Sequence, residues 1–247
     1  MFNVNLSDKN IIQDMHSSDG TQTKYYSNGY WYKINSEGGE DEAEYLASGI
    51  LTFSTLNKND YVIYERGIVN HSNACRSKNF LKSDEVFITF NHIHKSVARV
   101  PMYEKMFDYK TLSKKIEYVI NFMHDVTGLD VTPYLKKTFS IYRIILNEDR
   151  HFNNLGVIMH KNGSYRTAPI FDNGRSMFIG NFSIKDNLPI SENVKRVSCK
   201  PFGFGHKKIV EYFGKGFELD KEAAIKWIQK EASDRFRDLL IYQIEHY

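Results

Sequence analysis

Asp149, Asn154 and Asp172 are the residues whose types and spacing can do chemistry. They stand in the string NEDRHFNNLGVIMHKNGSYRTAPIFDNGRS, residues 147–176. Asn162-Gly163 separates two strand-like runs, LGVIMH and YRTAPIF. Asn-Gly is a preferred two-residue hairpin turn. A turn centred there sets Asn154 opposite Phe171 and next to Asp172. Cross-strand neighbours lie about 5 Å apart and diagonal ones about 7–8 Å apart. Asp149 precedes Asn154 by five residues, on the turn into the hairpin. An Asp, an Asn and a second Asp therefore converge on one rim. Oxygen ligands in so small a number suit Mg²⁺, which keeps waters and shares phosphate oxygens.

D-x-x-x-x-N, a hairpin and D-x-G have the spacing of a phosphoryl-transfer site. Such a site needs a metal on the phosphate oxygens, a lysine on the non-transferred phosphates and a carboxylate for the acceptor hydroxyl. Asp149 is the candidate catalytic base, and Asn154 and Asp172 are the candidate metal ligands. His151 has two readings, a hydrogen bond to the transferring phosphate or packing of the loop. Arg150 fits a tie from the loop to a neighbouring carboxylate.

The elements that must position these groups begin with KYYSNGYWYKI, residues 24–34. Asn28-Gly29 is a second hairpin turn, and it places Lys24 opposite Lys33. HSSDGTQT, residues 16–23, leads into that hairpin with hydroxyls and one glycine. Such a loop can offer backbone N–H groups to an anion, so Ser17, Ser18, Gly20 and Thr21 are candidate phosphate contacts. Lys33 is the candidate phosphate lysine, with a solvated surface lysine as the plainer alternative. EDEAEYLASGIL, residues 40–51, has the apolar spacing of a helix with one buried face. Glu44 lies on the rim of that face as the orienting partner for Lys33. Glu40, Asp41 and Glu42 read as first-turn acids on a solvated face.

His92 and His94 form an H-x-H pair on an expected strand, VFITF and beyond. No third ligand stands nearby in the sequence, which favours packing over metal binding. Helices are expected from Leu112 to a stop at Gly128 and from Thr132-Pro133 to Leu146. Two more follow near the C-terminus, the first capped by Asp220. Residues 177–200 read as a mobile loop where a protein substrate can dock.

Composition excludes several classes. The chain has 247 residues, 41% hydrophobic and 26% charged, as in ordinary globular proteins. Net charge is only +3, less than a basic nucleic-acid binder carries. No apolar stretch approaches the ~18–20 residues of a membrane helix, and no signal peptide is visible. Cys75 and Cys199 are far apart and read as reduced thiols in a cytoplasmic protein. The expected fold class is α+β, one domain with a small β-rich lobe over about residues 1–100 and a mainly helical lobe over 101–247.

DRHFNN followed by IFDNGRS resembles the catalytic and metal-binding segments of the HipA-type bacterial serine/threonine kinases, the shorter CtkA-like branch above all. D-R-H-x-x-N is also similar to the catalytic loop of the phosphoinositide 3-kinase-like superfamily. HSSDGTQTKYYSNGYWYKI resembles the family's phosphate loop and ATP lysine, and EAEYLASGI its helix glutamate. ACRSKNFLKSDEVFITFNHI resembles its hinge, near residues 75–81 rather than Tyr64-Glu65, with Ser77 and Asn79 as nucleotide contacts. CKPFGFGHKKIVEYF resembles a motif beyond the metal aspartate.

The resemblance implies a bilobal kinase fold, ATP with Mg²⁺, and phosphorylation of protein Ser or Thr. Some family members are toxins paired with an antitoxin, and several autophosphorylate, which makes Ser17, Ser18, Thr21 and Thr23 candidate regulatory sites. HipA proper carries a further N-terminal subdomain. This chain starts almost at the phosphate loop, a departure from the family at its usual antitoxin contact; the alternatives are an antitoxin, a separately encoded N-terminal subdomain as partner, or no partner at all. No nucleic acid or membrane contact is expected. The alternatives are a kinase for phosphoinositides or small molecules, and a nucleotide-binding pseudokinase acting as a binding module.

Overall fold

A computed structural model describes residues 1–12, 22–149 and 151–247. Ser17, Ser18, Gly20, Thr21 and Arg150 lie outside the described residues. The Asn28-Gly29 turn has left-handed φ at both positions, 51° and 79°. It joins β2 (Lys24–Ser27) to β3 (Tyr30–Ile34), and Lys24 pairs with Lys33 as the turn predicts. β1 (Phe2–Val4), β4 (Tyr64–Val69) and β5 (Ser72–Lys78) complete one sheet, ordered β1-β4-β5-β3-β2. Only β1 and β4 run parallel.

α1 (Glu40–Leu51) has the predicted bounds and buries Ala43, Leu46, Ala47, Ile50 and Leu51. Its first-turn acids do not face solvent. Glu40 accepts from the Ser36 and Glu37 N–H groups at 2.9 and 2.7 Å, and Asp41 accepts from Arg66 at 2.8 Å. Glu42 accepts from the Ser233 N–H at 2.6 Å. These partners come from outside α1, which is why helix periodicity alone misplaced the acids. Further along α1 Gly49 admits Trp227, whose ring would lie 2.0 Å from a Cβ there.

β6 (Glu85–Thr89), β7 (Gly156–His160) and β8 (Tyr165–Thr167) form a separate antiparallel sheet. Residues 79–84 join the two sheets. The expected strand through His92 and His94 is instead a helix, α2 (Phe90–Ala98). The Thr89 side chain starts it by accepting the His92 N–H at 3.0 Å. The His94 ring is buried, with its nitrogens 2.6 Å from the Val100 carbonyl and 2.7 Å from Tyr118 Oη. It packs, as the missing third ligand suggested.

The β7–β8 register differs by one from the expectation. His160 N–H donates to the Ser164 carbonyl at 2.9 Å, so the loop holds three residues, with Gly163 at φ +83°. Asn162 stabilises it by accepting from the Ser164 N–H at 3.0 Å. Val157 then faces Thr167, and the ladder ends before Pro169, which has no N–H to give. The chain turns away to run beside Tyr61, with Val62 N–H donating to the Ile170 carbonyl at 2.9 Å. Asn154 and Phe171 are therefore not ladder partners.

The remaining chain is mostly helical: α3 (Met102–Lys105), α4 (Leu112–Thr127), α5 (Thr132–Ile145), α6 (Ile190–Val194), α7 (His206–Phe213), α8 (Lys221–Glu231) and α9 (Asp234–Glu245). Gly128 ends α4 at φ 73°, and Asp220 caps α8, both as predicted. α5 lies within the main core, burying Leu135, Phe139, Ile141, Tyr142, Ile144 and Ile145. Residues 177–200 are tied down more than a polar loop suggests, because Met177, Ile179, Val197 and Cys199 enter the core. Both cysteines are buried. Among the described residues, no helix is long and apolar enough to cross a membrane.

Candidate active site

Lys33 stands mid-sheet on β3, between Lys24 on one side and Cys75 on the other. Its Nζ lies 2.8 Å from Glu44 Oε1 and 2.6 Å from Asp172 Oδ1. Burial disfavours the charge, but Asp172 and Glu44 outweigh it and hold the Lys33 pKa well above its ordinary value. Glu44 does a second thing: its Oε2 accepts the Asn173 N–H at 2.7 Å. One carboxylate thus ties α1, β3 and the D-x-G segment together. Tyr64 Oη accepts the Asp172 N–H at 3.2 Å, and Lys33 Nζ sits 5.5 Å from the Tyr64 ring. Asp172 itself has a left-handed φ of 63°, so the backbone is specially shaped where the carboxylate meets Lys33.

These groups floor a cleft of about 290 Å³. Trp31, Phe80, Leu81, Phe87 and Phe171 make apolar walls, and Ser77 and Asn79 line it from the end of β5. Phe80, Phe87 and Phe171 pack together at centroid distances of 5.3 to 6.1 Å. Asn79 shapes the linker: its Oδ1 accepts from Trp31 Nε1 at 3.3 Å and from the Leu81 N–H at 3.2 Å. An aromatic-walled cleft ending in a lysine and a carboxylate suits a base attached to phosphates. A larger groove of about 840 Å³ shares Ser77 and Asn79 but carries neither Lys33 nor Asp172.

The 147–154 loop follows α5 and leads into β7. The Phe90 and Asn91 N–H groups at the start of α2 hold it, donating to the Leu155 and Phe152 carbonyls at 2.9 and 3.1 Å. Asn154 is buried, and its N–H donates to the His151 carbonyl at 2.9 Å. Asp149 does not line the aromatic cleft; it lines a neighbouring groove of about 480 Å³ with Glu148, Arg175, Phe182, Arg196 and Lys200. Phe182 is fully exposed there. Asn154 and Asp172 offer oxygen donors only. Among the described residues no group of three or more His, Cys, Asp or Glu is placed to hold a metal ion. Asp172 lines the aromatic cleft and Asn154 is buried in the 147–154 loop; a carboxylate and an amide oxygen are ligand types that Mg²⁺ takes beside water and phosphate.

Three residues of this neighbourhood received no site role from the sequence: Tyr64, which stood only as a hinge alternative, and Lys200 and His206. The last two lie in CKPFGFGH, whose dense aromatic and glycine content was the available signal. His206 Nε2 lies 2.8 Å from the Asn147 carbonyl, and burial lowers its pKa to about 4 despite that bond. The folded protein therefore holds His206 neutral, whereas the unfolded chain takes up a proton below its ordinary 6.5. Its contribution is complete above about pH 6.5 and is lost as pH falls toward 4, by up to about 3 kcal/mol. His206→Gln keeps a donor but cannot titrate. Urea unfolding at pH 7 and pH 4.5 is expected to show a smaller acid loss for the variant, and an equal loss would exclude His206 as its source.

Solved structures share this architecture. The crystal structure of a Helicobacter pylori proinflammatory kinase, CtkA, matches with a TM-score of 0.66 at 15% identity, covering 99% of this chain and 93% of that one. The chain shares the fold of CtkA. A Shewanella oneidensis toxin–antitoxin HipA, solved with HipB and operator DNA, matches at a TM-score of 0.47 and 8% identity. That match covers 96% of this chain and 62% of HipA, less than two thirds of its length. No protein-family model matches the chain, and no curated protein does.

Proposed function

We propose that this chain is an ATP- and Mg²⁺-dependent serine/threonine protein kinase of HipA-like type. The observation that carries the reading is Lys33 held between Glu44 and Asp172 at the floor of an aromatic cleft. The CtkA-like fold supports it. In this reading the sheet with α1 forms the smaller lobe, the helices form the larger one, and the stretch near residues 75–81 is the hinge.

The adenine base lies between Trp31, Phe80 and Phe171. Lys33 contacts the non-transferred phosphates. Asn154 and Asp172 hold Mg²⁺, which when bound neutralises phosphate oxygens. Asp149 orients the acceptor hydroxyl and takes its proton as the acceptor oxygen bonds to the γ-phosphorus. The bond from that phosphorus to the β,γ-bridging oxygen breaks, and its electron pair leaves with ADP. His151 stands one residue beyond the base's neighbour Arg150 and serves the transferring phosphate. Ser17, Ser18, Gly20 and Thr21 belong to the phosphate loop, with the serines as autophosphorylation sites. The protein acts in the cytoplasm, with an antitoxin as its partner.

Incubation with γ-labelled ATP and Mg²⁺, with and without cell lysate, tests this. Label on a Ser or Thr of the protein itself or of a lysate protein, located by mass spectrometry, is the expected result. Nucleotide binding without any labelled protein would replace the kinase with a binding module.

A further inference from the structure

The segment Cys199–His206 grips the catalytic loop at three points. Phe202 is buried and stacks edge-on against Phe152 at 6.1 Å. His206 Nε2 meets the Asn147 carbonyl. At the third point the Lys200 ammonium is ion-paired to Asp149 Oδ1. The backbone on either side of Lys200 is fixed. Cys199 N–H donates to the Phe204 carbonyl at 2.9 Å, Gly203 N–H to the Cys199 carbonyl at 2.9 Å, and Lys115 Nζ to the Phe202 carbonyl at 2.9 Å. Yet the Lys200 side chain is 60% exposed and lies in the groove, whereas Asp149 is 28% exposed.

A solvated surface pair contributes about 0–1 kcal/mol to stability. Folding therefore gives little reason for so rigid a mount beneath one exposed lysine. Chemistry gives a better one. A carboxylate with one oxygen engaged by an ammonium keeps the other free in a set direction, and a base must be aimed as well as charged.

Resting on the kinase reading, we propose that Lys200 is a positioning residue for phosphoryl transfer. It fixes Asp149 through Oδ1 so that Oδ2 faces the acceptor hydroxyl in the 480 Å³ groove. Lys200 gives up no proton in the step. The hydroxyl proton passes to Asp149, and Lys200 remains an ammonium beside the newly neutral acid.

The test is steady-state transfer by Lys200→Met and Lys200→Arg, with Lys207→Met as control; Lys207 is exposed on α7 and pairs only weakly with Glu211 at 3.8 Å. Lys200→Met is expected to lower kcat by about 10- to 100-fold with KM for ATP unchanged. Lys200→Arg is expected to recover part of the loss, and the control to match wild type. A Lys200→Met protein with wild-type kcat overturns the proposal. So does a loss that arrives with an equal rise in KM for ATP or a lowered Tm, because a purely structural lysine would act that way. If wild type transfers no phosphate while binding nucleotide, the kinase reading falls first and this role falls with it. An active wild type with an indifferent Lys200 removes only the proposal.

Discussion

Asp149→Ala is expected to abolish detectable phosphoryl transfer, with kcat reduced by roughly 10²- to 10⁴-fold and nucleotide affinity unchanged. The separation follows from where the residue sits. Asp149 lines the groove of about 480 Å³, while the aromatic cleft is closed by Lys33, Asp172 and the phenylalanines. Removing its carboxylate takes away the proton acceptor and touches no wall of the cleft. Stability should change little as well, because the partner it releases, Lys200, is mostly solvated. Asp149→Asn sharpens the experiment. It keeps the shape and a carbonyl oxygen for Lys200 but cannot take the proton, so it should be as inactive as the alanine variant. Initial rates with labelled ATP, beside calorimetric titration of nucleotide, give both quantities. Undiminished transfer by either variant would remove Asp149 from the mechanism.

Much of the fold was legible because its signals are local. The Asn28-Gly29 turn set its register from two residues, and α1 kept its bounds because five apolar side chains repeat at helical spacing. The signals that misled were local too, and a hydrogen bond that periodicity does not record decided each case. Asn162-Gly163 reads as a two-residue turn, but Ser164 bonds back to the Asn162 side chain and lengthens the loop by one. Thr89 is a strand former that here caps a helix, so His92 and His94 changed element. Glu40, Asp41 and Glu42 are buried by Arg66, Ser36 and Ser233, which helix periodicity cannot see.

The site divides in the same way. The order of lysine, helix glutamate, D-x-x-x-x-N and D-x-G is written along the chain. Lys33, Glu44 and Asp172 meet although 139 residues separate the first from the last. What the sequence did not display is the support around them: the Tyr64 hydroxyl on the Asp172 backbone, and the Cys199–His206 grip on the 147–154 loop. Tyr64 stood only as a hinge alternative, and Lys200 only as one residue of CKPFGFGHKKIVEYF. Their roles come from packing between elements, where no short spacing records them.

The second large effect belongs to Lys33, and here activity and stability should fall together. Lys33 separates two carboxylates, and Glu44 is almost wholly buried at 1% exposure. Lys33→Met leaves Glu44 and Asp172 facing each other without a cation. Removing one partner of a buried pair costs roughly 3–5 kcal/mol, and the lost phosphate contact should lower kcat/KM for ATP by on the order of 10²-fold or more. A second substitution separates the two effects. Glu44→Gln keeps an oxygen for the Asn173 N–H but carries no charge. In the double variant Lys33→Met/Glu44→Gln only Asp172 remains charged, and it is partly open to the cleft. Most of the lost stability should return, while transfer stays lost because the cation is still missing. Urea unfolding and labelled-ATP rates on the single and double variants measure both arms. A double variant no more stable than Lys33→Met would mean that charge repulsion is not what the lysine relieves. Transfer restored in the double variant would mean that Lys33 serves the fold and not the phosphates.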